Sequence, residues 1–219
     1  MKTVAFYARK GGVGKSTLAF ITACFAARTG QTAQLTAPRV MLVSLDPQGD
    51  AVRWSAVGGS DSPLRRDDVI TSPHGFAAMY SPGQLPPVNG QDLVIVDCPP
   101  EADQAIPLVK PAWWVVVLDG RAALIDTMAA IPAMRSQGGD ILFVINKADT
   151  GGTRVEAELL TQAHKVPQTQ VCPYVIPISG AIARVAEYYA PPWDVPYGKG
   201  SAGGNAAERF CANLLKRVR

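Results

Sequence analysis

The run Ala8-Arg9-Lys10-Gly11-Gly12-Val13-Gly14-Lys15-Ser16-Thr17-Leu18 sets two lysines around three glycines. Glycines let successive backbone N–H groups turn inward and cradle a phosphate. A helix opening at this point adds the positive end of its dipole. Lys15 can reach the β- and γ-phosphates of a nucleotide, and the Ser16 hydroxyl can ligate Mg2+. Gly11, Gly12, Val13, Gly14, Lys15, Ser16 and Thr17 are therefore nucleotide-binding candidates. The bland alternative is a glycine-rich strand-to-helix turn that binds nothing, and it fits poorly with so many of these residues in register. The strict pattern of such a loop has glycine at position 9, where this chain has Arg9. Two carboxylates stand at the ends of apolar runs, Asp46 after Val40–Leu45 and Asp97 after Leu93–Val96. Taken singly, one could be a turn residue and the other a helix cap. Asn146-Lys147-Ala148-Asp149 follows a third run and matches the guanine-reading motif Asn-Lys-x-Asp, in which the carboxylate accepts from the base.

These residues must be positioned by the elements around them. Apolar, β-branched runs recur at Thr3–Tyr7, Val40–Leu45, Leu93–Val96, Trp113–Leu118, Ile141–Ile145 and Val171–Ile176. Continuous runs of this length suit parallel strands covered on both faces. Helical stretches alternate with them: Ser16–Arg28 with Leu18, Ile21 and Phe25 on one face, Ala122–Arg135 interrupted by Pro132, Thr153–His164, Ala181–Tyr189 and Asn205–Val218. Thr153-x-x-Glu156 and Asn205-x-x-Glu208 have the spacing of a capping box. The alternation predicts an α/β fold, a doubly wound and mostly parallel sheet flanked by helices, in a single domain over residues 1–219. Residues 58–91 are rich in Gly, Pro and Ser, with one short strand expected at Asp68–Thr71. Residues 190–204 read as a long surface loop, and Gly30–Arg39 is longer than a tight connection needs. For Trp113-Trp114, burial in the core and an aromatic dimer patch both remain open.

At 47% hydrophobic residues the 219-residue chain carries enough apolar surface for a sizeable core. No run approaches a membrane span, and Met1–Tyr7 reads as a strand with no signal peptide. The four cysteines form no Cys-x-x-Cys pair, which argues against structural zinc or an iron–sulfur cluster and for reduced thiols. A net charge of +3 is only a mild hint of a polyanionic partner.

Lys10-Gly11-Gly12-Val13-Gly14-Lys15-Ser16-Thr17 resembles the deviant Walker A motif of the ParA/MinD ATPases. Leu45-Asp46-Pro47-Gln48-Gly49 matches that family's aspartate–proline–glutamine block, and Leu93–Pro100 its Walker B strand with following prolines. The resemblance runs from Thr3 to about Tyr189. It implies ATP and Mg2+ as cofactors and ATP hydrolysis as the activity. Lys10 would act in trans on the nucleotide of a partner subunit, so that the ATP-bound form is a homodimer. Asp46 would position the attacking water, making Lys10, Lys15 and Asp46 the catalytic residues. Asp97, with Ser16, would hold Mg2+. Asn146 would contact adenine, with Pro177 and Ile178 in the loop covering the base. The resemblance favours ATP over the GTP that Asp149 suggests. Where the family often has a further aspartate this chain has Ser44, so any role of that acid is lost.

The ParA branch implies a cytoplasmic, nucleoid-associated protein. It would bind DNA without sequence preference and partition plasmids or chromosomes, or position cargo, with a ParB-like centromere-binding or adaptor partner. Candidate DNA contacts are Arg184, Lys199, Arg209, Lys216 and Arg217, each of which also reads as part of a solvated face. Ile178 stands where the family frequently has an arginine. The MinD branch implies instead a membrane-associated regulatory ATPase. The stripe Ala207, Phe210, Leu214 and Val218 could lie on a membrane, but reads better as a last helix packed on the sheet. Metabolic ligases and iron–sulfur carriers of the same superfamily fit less well, given Asp46-Pro47-Gln48 and the cysteine spacing.

Overall fold

The computed structural model describes residues 1–31, 38–56, 63–100, 105–148 and 154–218. In chain order the elements are β1 (Lys2–Tyr7), α1 (Lys15–Gln31), β2 (Val40–Ser44), α2 (Asp50–Ser55), β3 (Val69–Thr71), β4 (Ala77–Tyr80) and β5 (Leu93–Asp97). A 3-10 turn, Ile106–Leu108, leads into β6 (Trp113–Leu118), α3 (Arg121–Met128), α4 (Ile131–Gln137) and β7 (Asp140–Ile145). The chain continues through α5 (Arg154–His164), β8 (Gln170–Val171), α6 (Gly180–Ala183), α7 (Val185–Tyr188) and α8 (Ala202–Val218).

The strands form one sheet in the order β3-β4-β2-β5-β1-β6-β7-β8. Every pairing is parallel except β3 with β4. Successive side chains of a strand point to opposite faces, and both faces here are covered. Val4 and Phe6 face a cluster built on α1 and α8, whereas Ala5 and Tyr7 face one built on α3, α4 and α5. Trp113 and Trp114 divide the same way and are both core residues: Trp113 donates its indole N–H to the Arg217 carbonyl and Trp114 to that of Gly138. The doubly wound architecture expected from the alternating pattern is what forms.

Several boundaries differ. α1 has no single apolar face. Leu18 through Ala27 are all buried, because the helix lies under the sheet and is covered in turn by α8 and the 189–200 segment. The run Val171–Ile176 is a strand only at Gln170–Val171. Pro173 has no N–H to continue the ladder, although Cys172 and Ile176 still donate to Phe143 and Ile145 of β7. The stretch 122–135 is two helices, with Pro132 in the first turn of the second. Residues 181–189 likewise divide into two short helices at Arg184. β4, within 58–91, was missed. It is a parallel neighbour of β2, and its short Ala-Ala-Met-Tyr run carries no β-branched residue.

The 190–204 segment is not merely a surface loop: Trp193 and Val195 are buried, and Trp193 packs edge-on against Phe25. α8 begins earlier than Asn205. Ser201 is its cap, accepting from the Gly204 N–H, and Glu208 pairs with Arg28 instead of closing a capping box. The proposed box at Thr153 lies outside the described residues. The stripe Ala207, Phe210, Leu214 and Val218 is buried, with Phe210 edge-on to Phe6, so this face of α8 is spent on the core.

Candidate active site

The C-terminal ends of β1, β2, β5 and β7 converge on one cleft of about 710 Å3, at the point where the sheet order reverses around β1. Open parallel sheets bind ligands at such a place. Residues 10–17, Asp46, Asn146, Pro177 and Ile178 all line it. The loop that follows β1 turns at Gly12 and Gly14, whose φ of 76° and 93° lie in the left-handed region that side chains rarely adopt. At Gly14 there is a second constraint, since a Cβ would sit 2.2 Å from Asn146 Nδ2. Leu18 N–H donates to the Gly14 carbonyl, starting α1 directly beneath the loop.

At the floor of the cleft Lys15 is 6% exposed and lies between two acids. Its Nζ is 2.9 Å from Asp97 Oδ1 and 3.5 Å from Asp46 Oδ2. Burial alone would depress this ammonium. Asp97, by charge and by hydrogen bond, and Asp46, by charge, more than offset that and hold its pKa above the ordinary lysine value. Ser16 Oγ donates to the same Asp97 oxygen at 3.1 Å. Asp46 is oriented by its own turn, with the Gln48 N–H donating to Oδ1 at 2.9 Å. Asp50, in the first turn of α2, also lines the cleft. Burial, then Asp46 and Asp97, raise its carboxyl above the usual range. Burial pushes the Cys98 thiol up to about 12 despite Lys15, so this neighbour is an inert packing group.

Ser44 has a place at this site that the sequence did not suggest. Parallel pairing sets it beside Asp97, and its Oγ donates to Asp97 Oδ2 at 3.3 Å. An aspartate there would put a third carboxylate against one lysine. A serine instead ties down the second oxygen of Asp97 while the first faces Ser16 and Lys15.

The donor set suits Mg2+. A hydroxyl and a carboxylate stand at the phosphate loop, and among the described residues there is no cluster of three or more His, Cys, Asp or Glu that would form an all-protein cage. Mg2+ is commonly held by one or two such oxygens together with substrate phosphates. The cleft also has an unfilled hydrogen-bond requirement. Asn146 is buried, its Nδ2 donates to the Val13 carbonyl at 2.7 Å, and its Oδ1 has no hydrogen-bond partner among the described residues. The Nδ2 bond fixes which way round the amide sits, leaving a buried acceptor. Ile178 is 63% exposed, with its N–H donating to the Ala148 carbonyl, and Asp149 lies outside the described residues.

Lys10 lines the cleft mouth and pairs with Asp119 of its own chain. The basic candidates are dispersed. Arg184 donates to the Pro196 carbonyl, and Lys199 borders a second cavity beside Arg28 and Trp193. Arg209 and Lys216 are exposed on α8, whereas Arg217 lies over the Trp113 ring and bonds Asn213 and Gln170.

Neither a family model nor a curated protein matches the chain. Solved structures do match over nearly its whole length. The cell division ATPase MinD of Pyrococcus furiosus superposes with a TM-score of 0.76 at 19% identity, covering 98% of both chains. A ParA family ATPase from Chlorobium tepidum gives 0.69 at 17%, covering 97% of this chain and 99% of its own. The cobyrinic acid a,c-diamide synthase of Mycobacterium smegmatis, with an ATP analogue and magnesium bound, gives 0.68 at 18%, covering 99% and 94%. The chain thus has the ParA/MinD-type P-loop ATPase fold. That fold also hosts a synthase, so it does not by itself select an activity.

Proposed function

We propose that this chain is a Mg2+-dependent ATPase of the ParA/MinD type, which dimerises on ATP and drives partition or cargo positioning through non-specific DNA binding. The observation that carries the reading is the meeting of Lys15, Ser16, Asp46 and Asp97 beneath the glycine loop. This is a phosphate cradle with one buried cation, one water-orienting acid and one hydroxyl–carboxylate pair for a hard metal ion.

With ATP in the cleft, Lys15 exchanges its carboxylate partners for phosphate oxygens, and the loop amides with the α1 N-terminus take up the remaining charge. Ser16 and Asp97 would hold Mg2+, which supplies charge neutralisation on the phosphates. Asp46, its Oδ1 fixed by Gln48, turns its other oxygen toward Lys15, and beside a bound γ-phosphate that oxygen would hold a water in line. Lys10 belongs to the partner's nucleotide, linking γ-phosphate charge to association. The dimer exposes Arg209 and Lys216 to DNA phosphates, and a ParB-like or adaptor protein stimulates turnover.

Asp46→Ala tests the assignment. Hydrolysis is expected to fall by at least about a hundredfold. ATP affinity is expected to hold or rise, because a negative charge near the γ-phosphate has gone. Unchanged turnover would remove Asp46 from the mechanism.

A further inference from the structure

The loop that follows β7 is fastened to the phosphate loop at two successive residues. Asn146 Nδ2 donates to the Val13 carbonyl at 2.7 Å, and the Lys147 ammonium donates to the carbonyl of Gly12. Lys147 has a φ of 56°, in the left-handed region. A residue with a Cβ stays there only where its surroundings fix it. Here they do: Asn146 N–H donates to Leu118, Ala148 N–H to Ile176, and Ala148 bridges in parallel to Pro177.

In a planar trans peptide the C=O and the next N–H point in opposite directions. Tying the Gly12 carbonyl therefore fixes the Val13 N–H, and tying the Val13 carbonyl fixes the Gly14 N–H. These are loop amides that a phosphate must meet. Gly11, Gly12 and Gly14 give the loop freedom to turn, and the same freedom lets it turn away. Lys15 cannot restrain it, being held between Asp97 and Asp46.

We propose that Lys147 is a positioning residue of the phosphate loop. Its ammonium holds the Gly12 carbonyl so that the Val13 N–H stays presented to the phosphates, as Asn146 does for the Gly14 N–H. This assigns Lys147 a role that its exposure does not suggest. It rests on the nucleotide reading of the cleft.

The test compares Lys147→Met and Lys147→Arg with wild type. Both keep a Cβ and a long stem, so the backbone at 147 is equally strained in all three. Calorimetric titrations with ATP and with pyrophosphate separate the phosphate loop from the base. Lys147→Met is expected to weaken both ligands by the same factor, roughly tenfold for one lost hydrogen bond to a charged group. Lys147→Arg is expected to recover most of that loss. Hydrogen exchange at the amides of residues 12–14 should be faster in ligand-free Lys147→Met, with the thermal midpoint unchanged. Wild-type affinity for pyrophosphate in Lys147→Met overturns the proposal. A loss confined to ATP also overturns it and moves Lys147 to the base. If wild-type protein binds neither ligand, the nucleotide reading itself has failed.

Discussion

Lys10 Nζ lies 3.3 Å from Asp119 Oδ2, so the first of the two loop lysines is held within its own chain, by the residue that directly follows β6. More than half of the Lys10 side chain is exposed. A pair this open contributes at most about 1 kcal/mol, which the γ-phosphate of a facing nucleotide can outcompete. Lys10→Ala is therefore expected to keep nucleotide affinity in the monomer and to lose ATP-dependent dimerisation, since facing γ-phosphates then repel without a crossing cation. Asp119→Asn releases Lys10 in both subunits and should tighten the dimer by no more than about fivefold per pair, roughly thirtyfold in all. Sedimentation with a non-hydrolysable ATP analogue reads both. A Lys10→Ala protein that dimerises like wild type would show that Lys10 is only a solvated turn residue.

Ser44 and Asp97 yield a stability prediction. Ser44→Ala removes one buried hydrogen bond and should cost about 1 kcal/mol in urea denaturation. Ser44→Asp brings a third buried carboxylate to Lys15 and should cost about 3 kcal/mol or more when measured in chelator. A Ser44→Ala protein as stable as wild type would mean that Ser44 does not restrain Asp97.

Residues that are neighbours in sequence were legible, and those that are neighbours only across the sheet were not. The phosphate loop could be read because its chemistry is written in eight consecutive residues. The strand ends at Asp46 and Asp97 could be read because apolar runs mark parallel strands. Ser44 against Asp97 and Lys147 against Gly12 depend on strand register and on a backbone turn at positive φ, which leave no periodic trace. β4 was hidden by its short, alanine-rich sequence. Trp193 was hidden among the prolines and glycines of a segment that looks like loop and packs like core.

The basic residues of α8 should separate by role. Arg217 stacks on Trp113 and bonds Asn213 and Gln170, so Arg217→Ala is expected to destabilise the fold by about 1–2 kcal/mol. Arg209→Ala and Lys216→Ala should stay within about 0.5 kcal/mol of wild type. DNA retention by the ATP-bound form should weaken steeply with salt, and charge reversal at Arg209 and Lys216 should flatten that dependence for every sequence tested. Retention by liposomes in place of DNA would shift the reading to the membrane-associated alternative.

The base is decided at Asn146. Its Nδ2 is committed to the Val13 carbonyl, which leaves Oδ1 as a buried acceptor that needs a donor. Adenine presents a 6-amino group and can satisfy it. Guanine presents a 6-oxo group, which would set acceptor against acceptor and leave both unpaired, at a cost of about 1–3 kcal/mol, or roughly fivefold to 150-fold in affinity. Asp149 argues the other way, since a carboxylate in that motif accepts from guanine. Titration of the protein with ATP and GTP under Mg2+ weighs the two residues against each other, and the expected result is preference for ATP. Asn146→Ala removes the acceptor and the tie to Val13 together, so it should weaken both nucleotides and narrow the gap between them. Asp149→Ala should leave ATP affinity unchanged. A clear preference for GTP, lost in Asp149→Ala, would make Asp149 the reader of the base and reduce Asn146 to a brace for the phosphate loop.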